Sequence, residues 1–469
     1  MARLLKAPAW TAAIALGLWA WIGVGFANYD TLYALTWGQQ LARGQTPQYA
    51  LSIAPTPHPL LTAVGFLLTP LGPGGAEDAV VVLAYLALGA LGYVVYRLGA
   101  EWFSRPAGIL AAAIILTREP ILSYGIRAYV DVPYLVLVLC ALLVETRRRA
   151  AGAPVLLLLA AAGLLRPEAW LFAAAYWLWL WRGHRRSPRD LWRLALLAAA
   201  APLLWALSDL LVTGNAFWSL TKTRDTAATL HRVRGLQNVP YTGARRIGEV
   251  LREPVLVAAA VGGALSLVWL RARAWLGAAA GAGAVLAFAV LGAGGLPLVT
   301  RYVFLISALL AIFAGGGVFG WQRMLHGWRR RRWQIAAALV AIALVAFIPS
   351  QAHRLDNTFS ALRRQRQIQD DLVSLVSRGA ISLRCGEVGV PNHRPIPLLA
   401  LRLHARPGEI VSAKVRTLKR GTYVDPATAE VRRDYTVDPH DPRSFVASVP
   451  SGFTLVGGNA SWRVYRRCG

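Results

Sequence analysis

Asp30 is the first acidic residue of the chain and closes its first long apolar run, Trp10 to Phe26, within Ala27-Asn28-Tyr29-Asp30-Thr31. Asp131 opens another such run in Tyr129-Val130-Asp131-Val132-Pro133. Carboxylates at the lips of membrane-length segments suit proton transfer, or the binding of a sugar or a cation. Each also has a plain structural reading. Asp30 would mark the water boundary, and Asp131 would face the positive end of its own helix. Glu119 and Arg127 precede Asp131 in one polar stretch, and Leu165-Arg166-Pro167-Glu168 puts a cation and an anion at one helix start. There the simple reading is a local ion pair beside an N-terminal proline. A long loop over 213–253 carries Lys222 and Arg224, then His231, Arg232, Arg234, Arg245, Arg246 and Arg252. So basic a loop on the outer side opposes the usual charge bias, and an anionic ligand such as a lipid phosphate or pyrophosphate would offset it. General attraction to anionic headgroups is the alternative. Arg301 and Tyr302 stand at the mouth of a further apolar run, and His58 sits in Pro57-His58-Pro59.

The segments that must position these residues are membrane spans. Of 469 residues, 56% are hydrophobic, 18 are Trp and only 16% are charged, which suits a polytopic α-helical membrane protein. The formal charge of +27 is gathered between apolar runs, with no basic domain of interleaved stacking aromatics, so no nucleic-acid partner is expected. Apolar runs lie near 10–27, 79–97, 107–118, 129–145, 154–165, 169–181, 192–212, 254–271, 274–294, 302–319 and 334–349, about eleven in all. Between them, Met1–Lys6, Arg97–Arg105, Arg147–Arg149, Arg182–Arg193, Arg271–Arg273 and Arg329–Arg332 fall on one side. That side is the cytoplasm by the positive-inside rule. The N-terminus is then cytoplasmic, with a retained first helix rather than a cleaved signal. Asp30, Asp131, Arg166, the 213–253 loop and everything after Pro349 fall outside. The first outer loop would hold two membrane-lying helices, 31–43 and 59–69.

The expected domains are a transmembrane domain, 1–349, and a small extracytoplasmic α/β domain, 350–469. In the second, helices are expected at 355–377 and 397–404 and strands at 380–385, 409–415, 453–456 and 461–466. Cys385 opens this tail and Cys468 closes it, and an oxidising compartment would let them pair. Two unpaired thiols are the alternative.

Taken in order, Tyr29-Asp30, Leu41-Ala42-Arg43-Gly44-Gln45-Thr46-Pro47, His58-Pro59-Leu60, Asp131-Val132-Pro133, Arg166-Pro167-Glu168 and Arg301-Tyr302 form a pattern. Over about 1–320 it resembles the GT-C superfamily of lipid-linked-sugar-dependent membrane glycosyltransferases, near the protein O-mannosyltransferase and aminoarabinose-transferase branch. The resemblance implies an inverting transfer of a sugar from a polyprenyl-phosphate donor to a glycan, lipid or protein acceptor, on the outer face of the cytoplasmic membrane. Asp30 would be the base, and Asp131 would orient the acceptor or share that role. Arg301, Lys222 and Arg224 would hold the phosphate. Tyr29, His58, Glu119, Arg127, Arg166, Glu168 and Tyr302 would contact substrate. Those families often carry a paired Asp-Glu after the first span, whereas here Thr31 follows Asp30. No cofactor is therefore expected, and a divalent metal has no support. Two rival readings are a transporter or flippase of a lipid-linked sugar or anionic lipid, and a scaffold whose tail binds cell-wall partners.

Overall fold

The structure, a computed structural model, describes residues 6–183, 186–436 and 448–468. Residues 1–5 and 184–185 of the basic clusters lie outside them. Each apolar run falls on a helix. Among the described residues, five helical stretches are long and apolar enough to cross a membrane, and seven if two bent pairs each count as one span. This is fewer than the eleven runs counted in the sequence. Several runs form short helices instead, such as Arg105–Ile115 and Ala153–Gly163, with 11 residues each. The Pro59–Leu68 helix, expected to lie on the membrane, does not stand alone. It continues through a 3-10 turn into Gly72–Trp102, giving one helical stretch of 44 residues.

The chain forms two compact units, and the expected boundary at 349/350 is not where they part. One unit comprises the chain through Gly23, Val82–Ala206 and Val233–Phe359. The other comprises Val24–Val81, Leu207–Arg232 and Ser360–Gly469. Position 349/350 lies inside a 50-residue helix, Trp328–Ser377. Pro349 removes one hydrogen-bond donor from that helix without ending it. The helix expected at 355–377 is its continuation, inward-facing at Leu355, Phe359, Leu362, Ile368, Leu372 and Leu375.

In the first unit the Phe304–Phe319 helix is buried along nearly its whole length. Small residues let backbones meet there. A Cβ at Gly315 would collide with the Ala107 backbone, one at Gly317 with Ala258, and one at Gly262 with Phe313.

In the second unit, the helix Tyr29–Ala42 is enclosed on all sides from Thr31 through Gln40. Leu41, beyond this stretch, is exposed. An element buried all round must satisfy its polar side chains internally. Thr36 Oγ1 donates to Leu32 O at 2.8 Å, Gln40 Oε1 accepts from Gln48 N at 3.1 Å, and Gln39 Nε2 lies 3.0 Å from His404 Nδ1. The helix crosses Pro59–Leu68 where Gly38 meets Gly65, leaving no room for a Cβ at either. A short helix of the tail, Ile396–Arg402, also packs on it.

That short helix links two parallel strands of a five-stranded mixed sheet. The strands are β1 (Val388–Val390), β2 (Ile410–Ser412), β3 (Gly421–Pro426), β4 (Thr454–Gly458) and β5 (Trp462–Arg467), in the order β2-β1-β3-β5-β4. β1 pairs in parallel with β2 and β3, and β5 is antiparallel to β3 and β4. The strand expected at 380–385 is absent. The segment forms turns, and Cys385 there is disulfide-bonded to Cys468, with Cα atoms 5.2 Å apart. β1 and β3 were not anticipated, being too short or too rich in Gly and Pro to show a period of two.

Candidate functional site

Asp30 does not end a helix; it stands in the first turn of one. The preceding helix stops at Ile22, the chain runs without regular structure through Asn28, and Asn28 caps the next helix. Its Oδ1 accepts from Asp30 N at 2.7 Å and from Thr31 N at 3.2 Å. The half-buried Asp30 carboxylate is thus carried on a fixed backbone at the favourable end of a helix dipole. Tyr29, beside it, donates its hydroxyl to Ile53 O at 3.0 Å and sets its ring edge-on to His393 at 5.4 Å. Burial, reinforced by Tyr33 and by Asp30 and opposed by Arg394, pushes the Tyr29 hydroxyl well above its ordinary value. It therefore stays protonated and serves as a donor.

The same unit holds His58, Lys222 and Arg224. His58 precedes the Pro59–Leu68 helix without capping it. Lys222 and Arg224 lie on a helix, Trp218–Thr229, where a loop was expected. Between them Thr223 bonds Thr56 at 2.6 Å, which ties that helix to the segment before His58.

The other unit gathers the remaining candidates around Arg166. Asp131 is the first residue of the Asp131–Arg147 helix, but its partner is not its own backbone. Arg166 Nη1 bonds Asp131 Oδ1, and Nη2 lies 3.0 Å from Glu168 Oε1. All three are at most 7% exposed. The remaining oxygens, Asp131 Oδ2 and Glu168 Oε2, are buried without hydrogen-bond partners. One guanidinium between two carboxylates leaves a net negative charge with two acceptor positions unused, which suits hydroxyl or ammonium donors.

From Arg166 a ladder of cations and rings runs outward. Arg166 stands 4.3 Å from the centre of the Tyr302 ring, and Arg301 stands 5.9 Å from it. Arg301 also stands 5.9 Å from the Tyr129 ring, which Arg127 approaches at 5.1 Å. Each ring is flanked by two guanidiniums, which holds the planar forks in place. Glu119 is buried at the start of Glu119–Ile126 and joins no bond of this ladder among the described residues. Of the basic loop, Arg245 and Arg246 bond Glu249 at 3.0 and 2.7 Å. Local ion pairing answers part of the charge that had suggested an anionic ligand. The expected phosphate-binding set is divided, with Lys222 and Arg224 in one unit and Arg301 in the other. No cluster of three His, Cys, Asp or Glu placed to hold a metal ion occurs among the described residues.

Sequence reasoning missed the tail's contribution. Asn392, His393 and Arg394 follow the carboxyl end of β1, before the crossover helix, the place where open parallel sheets bind ligands. Asn392 is 0% exposed and its Nδ2 has no acceptor. The only available signal was the Asn-His-Arg run between two prolines. Tyr129 was also overlooked as a member of the ladder, since Arg301, which links it to Tyr302, comes from a distant segment.

No protein-family model matches the sequence, and no curated protein matches it. Among solved structures, the crystal structure of ArnT from Cupriavidus metallidurans bound to undecaprenyl phosphate is similar, with a TM-score of 0.52 and 13% identity over 97% of each chain. The apo state of the same protein gives a TM-score of 0.47, also at 13% identity. The first likeness covers 97% of each chain and gives this chain its fold: a largely helical protein folded as ArnT is, with a small C-terminal sheet.

Proposed function

We propose that the chain is an inverting glycosyltransferase that moves a sugar from a polyprenyl-phosphate donor to an acceptor hydroxyl, on the outer face of the cytoplasmic membrane. The observation that carries this reading is the buried Asp131–Arg166–Glu168 cluster with its Arg–Tyr ladder. The fold is that of a protein whose crystal structure holds undecaprenyl phosphate. In the reaction the acceptor oxygen attacks the anomeric carbon as the bond from that carbon to the phosphate oxygen breaks. The acceptor proton passes to Asp30, and a polyprenyl phosphate monoester departs. Such a leaving group needs its charge met more than it needs a proton. Arg301, with Lys222 and Arg224, supplies that charge, and the free oxygens of Asp131 and Glu168 take hydroxyls of sugar or acceptor.

Asp30→Asn keeps the shape and the cap while removing the base. The expected loss is about 10²–10⁴ in turnover, read as product from purified protein and radiolabelled polyprenyl-phosphate sugar. Wild-type turnover by the Asn variant would rule Asp30 out as the base.

One observation favours the rival transporter. Two helices are broken, Arg105–Ile115 against Glu119–Ile126 by 68° and Leu236–Leu251 against Glu253–Trp269 by 105°. Discontinuous helices are a transporter's means of building a site within the membrane. Flux of a labelled lipid-linked sugar across proteoliposomes, without formation of a glycosylated product, would favour transport.

A further inference from the structure

The two helix breaks meet at one side chain. Carbonyls at a helix C-terminus lack partners within their own helix. Arg118 satisfies one from each broken pair, with Nε to Ile114 O at 3.1 Å and Nη1 to Leu251 O at 3.3 Å. Nη2 goes to Thr117 Oγ1 at 3.1 Å, and the guanidinium stands 5.6 Å from the Phe347 ring. All three bonds go to neutral oxygens, although the side chain is only 4% exposed. A guanidinium has five N–H groups, so two remain to be met. Glu119, the next residue, brings one negative charge within electrostatic reach, and Arg252, at the second break, a further positive one whose Nε is buried without a partner. Two guanidiniums against one carboxylate, with no ion pair formed by Arg118 among the described residues, leave a positive charge that calls for an anion.

Arg118 lines a cavity of about 560 Å³, within the range of ligand sites. Its long walls are hydrocarbon, including Leu110, Ile114, Val345, Ile348 and Phe359. Besides Arg118 and Thr117, its polar lining is Gln351 and Asp356. Gln351 is 6% exposed. Its Nε2 donates to Thr117 O at 2.6 Å, while its Oε1 is buried with no donor. Asp356 is exposed, one helical turn further along Trp328–Ser377. The cavity thus places a cation with spare donors beside an acceptor without a donor and a carboxylate.

We propose that this cavity binds a bilayer phospholipid whose headgroup carries both a phosphate and a primary ammonium, of the phosphatidylethanolamine type. The phosphate lies on Arg118, the ammonium donates to Gln351 Oε1 and faces Asp356, and one acyl chain lies along Leu110, Val345 and Ile348. Phosphatidylglycerol would leave Asp356 facing an anion, and phosphatidylcholine has no N–H for Gln351. None of the residues given to the transfer reaction lines the cavity, so the lipid site stands whether or not that reaction occurs.

The test is native mass spectrometry of the full chain released from nanodiscs of equimolar ethanolamine, glycerol and choline phospholipids. One ethanolamine lipid should be retained at least about tenfold over each competitor, the least that a hydrogen bond to a charged group confers. Gln351→Leu should bring ethanolamine and choline lipids to equal retention. Arg118→Gln should lose all three, but it also uncaps two helices. Ala113→Phe, which fills the cavity and leaves both polar groups, guards against loss of folding and should likewise release the lipid. Equal retention of choline and ethanolamine lipids by the unaltered chain, preference for the glycerol lipid, or undiminished retention by Ala113→Phe would overturn the proposal.

Discussion

The charged groups of this protein divide by how far apart in sequence their partners lie. Arg166 and Glu168 are two residues apart, and their pairing was legible from Arg-Pro-Glu alone. Asp131 is 35 residues from Arg166, and no spacing rule could join them. Read singly, Asp131 is a charge at a helix start, and the structure adds that it is also the other arm of a buried cluster. Removing Arg166 would leave two buried carboxylates facing each other with no counterion. Arg166→Ala is expected to destabilise the protein by about 3–5 kcal/mol, lowering the unfolding temperature of detergent-purified protein. Arg166→Lys, which keeps the charge but not the fork, should fall between the two. His404 gives a residue-scale effect of pH. Its Nδ1 lies 3.0 Å from Gln39 Nε2 and 2.6 Å from Arg43 Nη2, so it acts as an acceptor for both. Burial and then Arg43 lower its proton affinity below the ordinary histidine value of 6.5. The unfolded chain therefore takes up this proton first as pH falls, and the stability His404 contributes above pH 6.5 is lost below it. His404 has φ 56°, a conformation Asn tolerates. Between pH 7.5 and 5.5 the unfolding temperature of the native chain should fall further than that of His404→Asn.

At the scale of elements, the sequence conveyed which segments are helical and little about where they meet. Apolar runs announce themselves by composition, and ten or more such residues in a row leave few alternatives to a helix. The crossing of Tyr29–Ala42 with Pro59–Leu68 depends on two glycines, Gly38 and Gly65, whose lack of a side chain carries no pattern. Gly38→Val should force these helices apart and displace Asp30 with its helix. The cost expected for an overpacked contact is about 1–3 kcal/mol or more. Gly17→Val, where nothing lies within 4 Å, is the control, and limited proteolysis of the two proteins compares them. The strands failed to show for a related reason. β1 has three residues, and its stability comes from its neighbours β2 and β3 rather than from its own sequence.

For the whole molecule, the alternation of basic loops and apolar runs was enough to indicate the membrane-helical architecture that ArnT shares at 13% identity. The division into units was not legible, because each is assembled from three separated stretches. Asn392, His393 and Arg394 could not be linked to Tyr29 from a sequence in which more than 360 positions intervene. The bond between Cys385 and Cys468 closes a loop of 83 residues. In the chain-entropy model, opening it removes about 4–5 kcal/mol from the folded tail. Protein purified without reductant should show no alkylation at either cysteine, and reduction should lower the temperature at which the tail becomes protease-sensitive.

Thr36, in the helix that carries Asp30, reaches the carbonyl of Pro397, 361 positions away, and Arg43 donates to His404 across the same interval. A ribosome lays down this helix 361 residues before these partners. Until those partners follow, Gln39 and Arg43 would lack His404, and Thr36 would keep only its bond to Leu32 O. A nascent chain released before His404 should therefore leave the Tyr29–Ala42 helix short of these bonds and more open to protease than in the full chain.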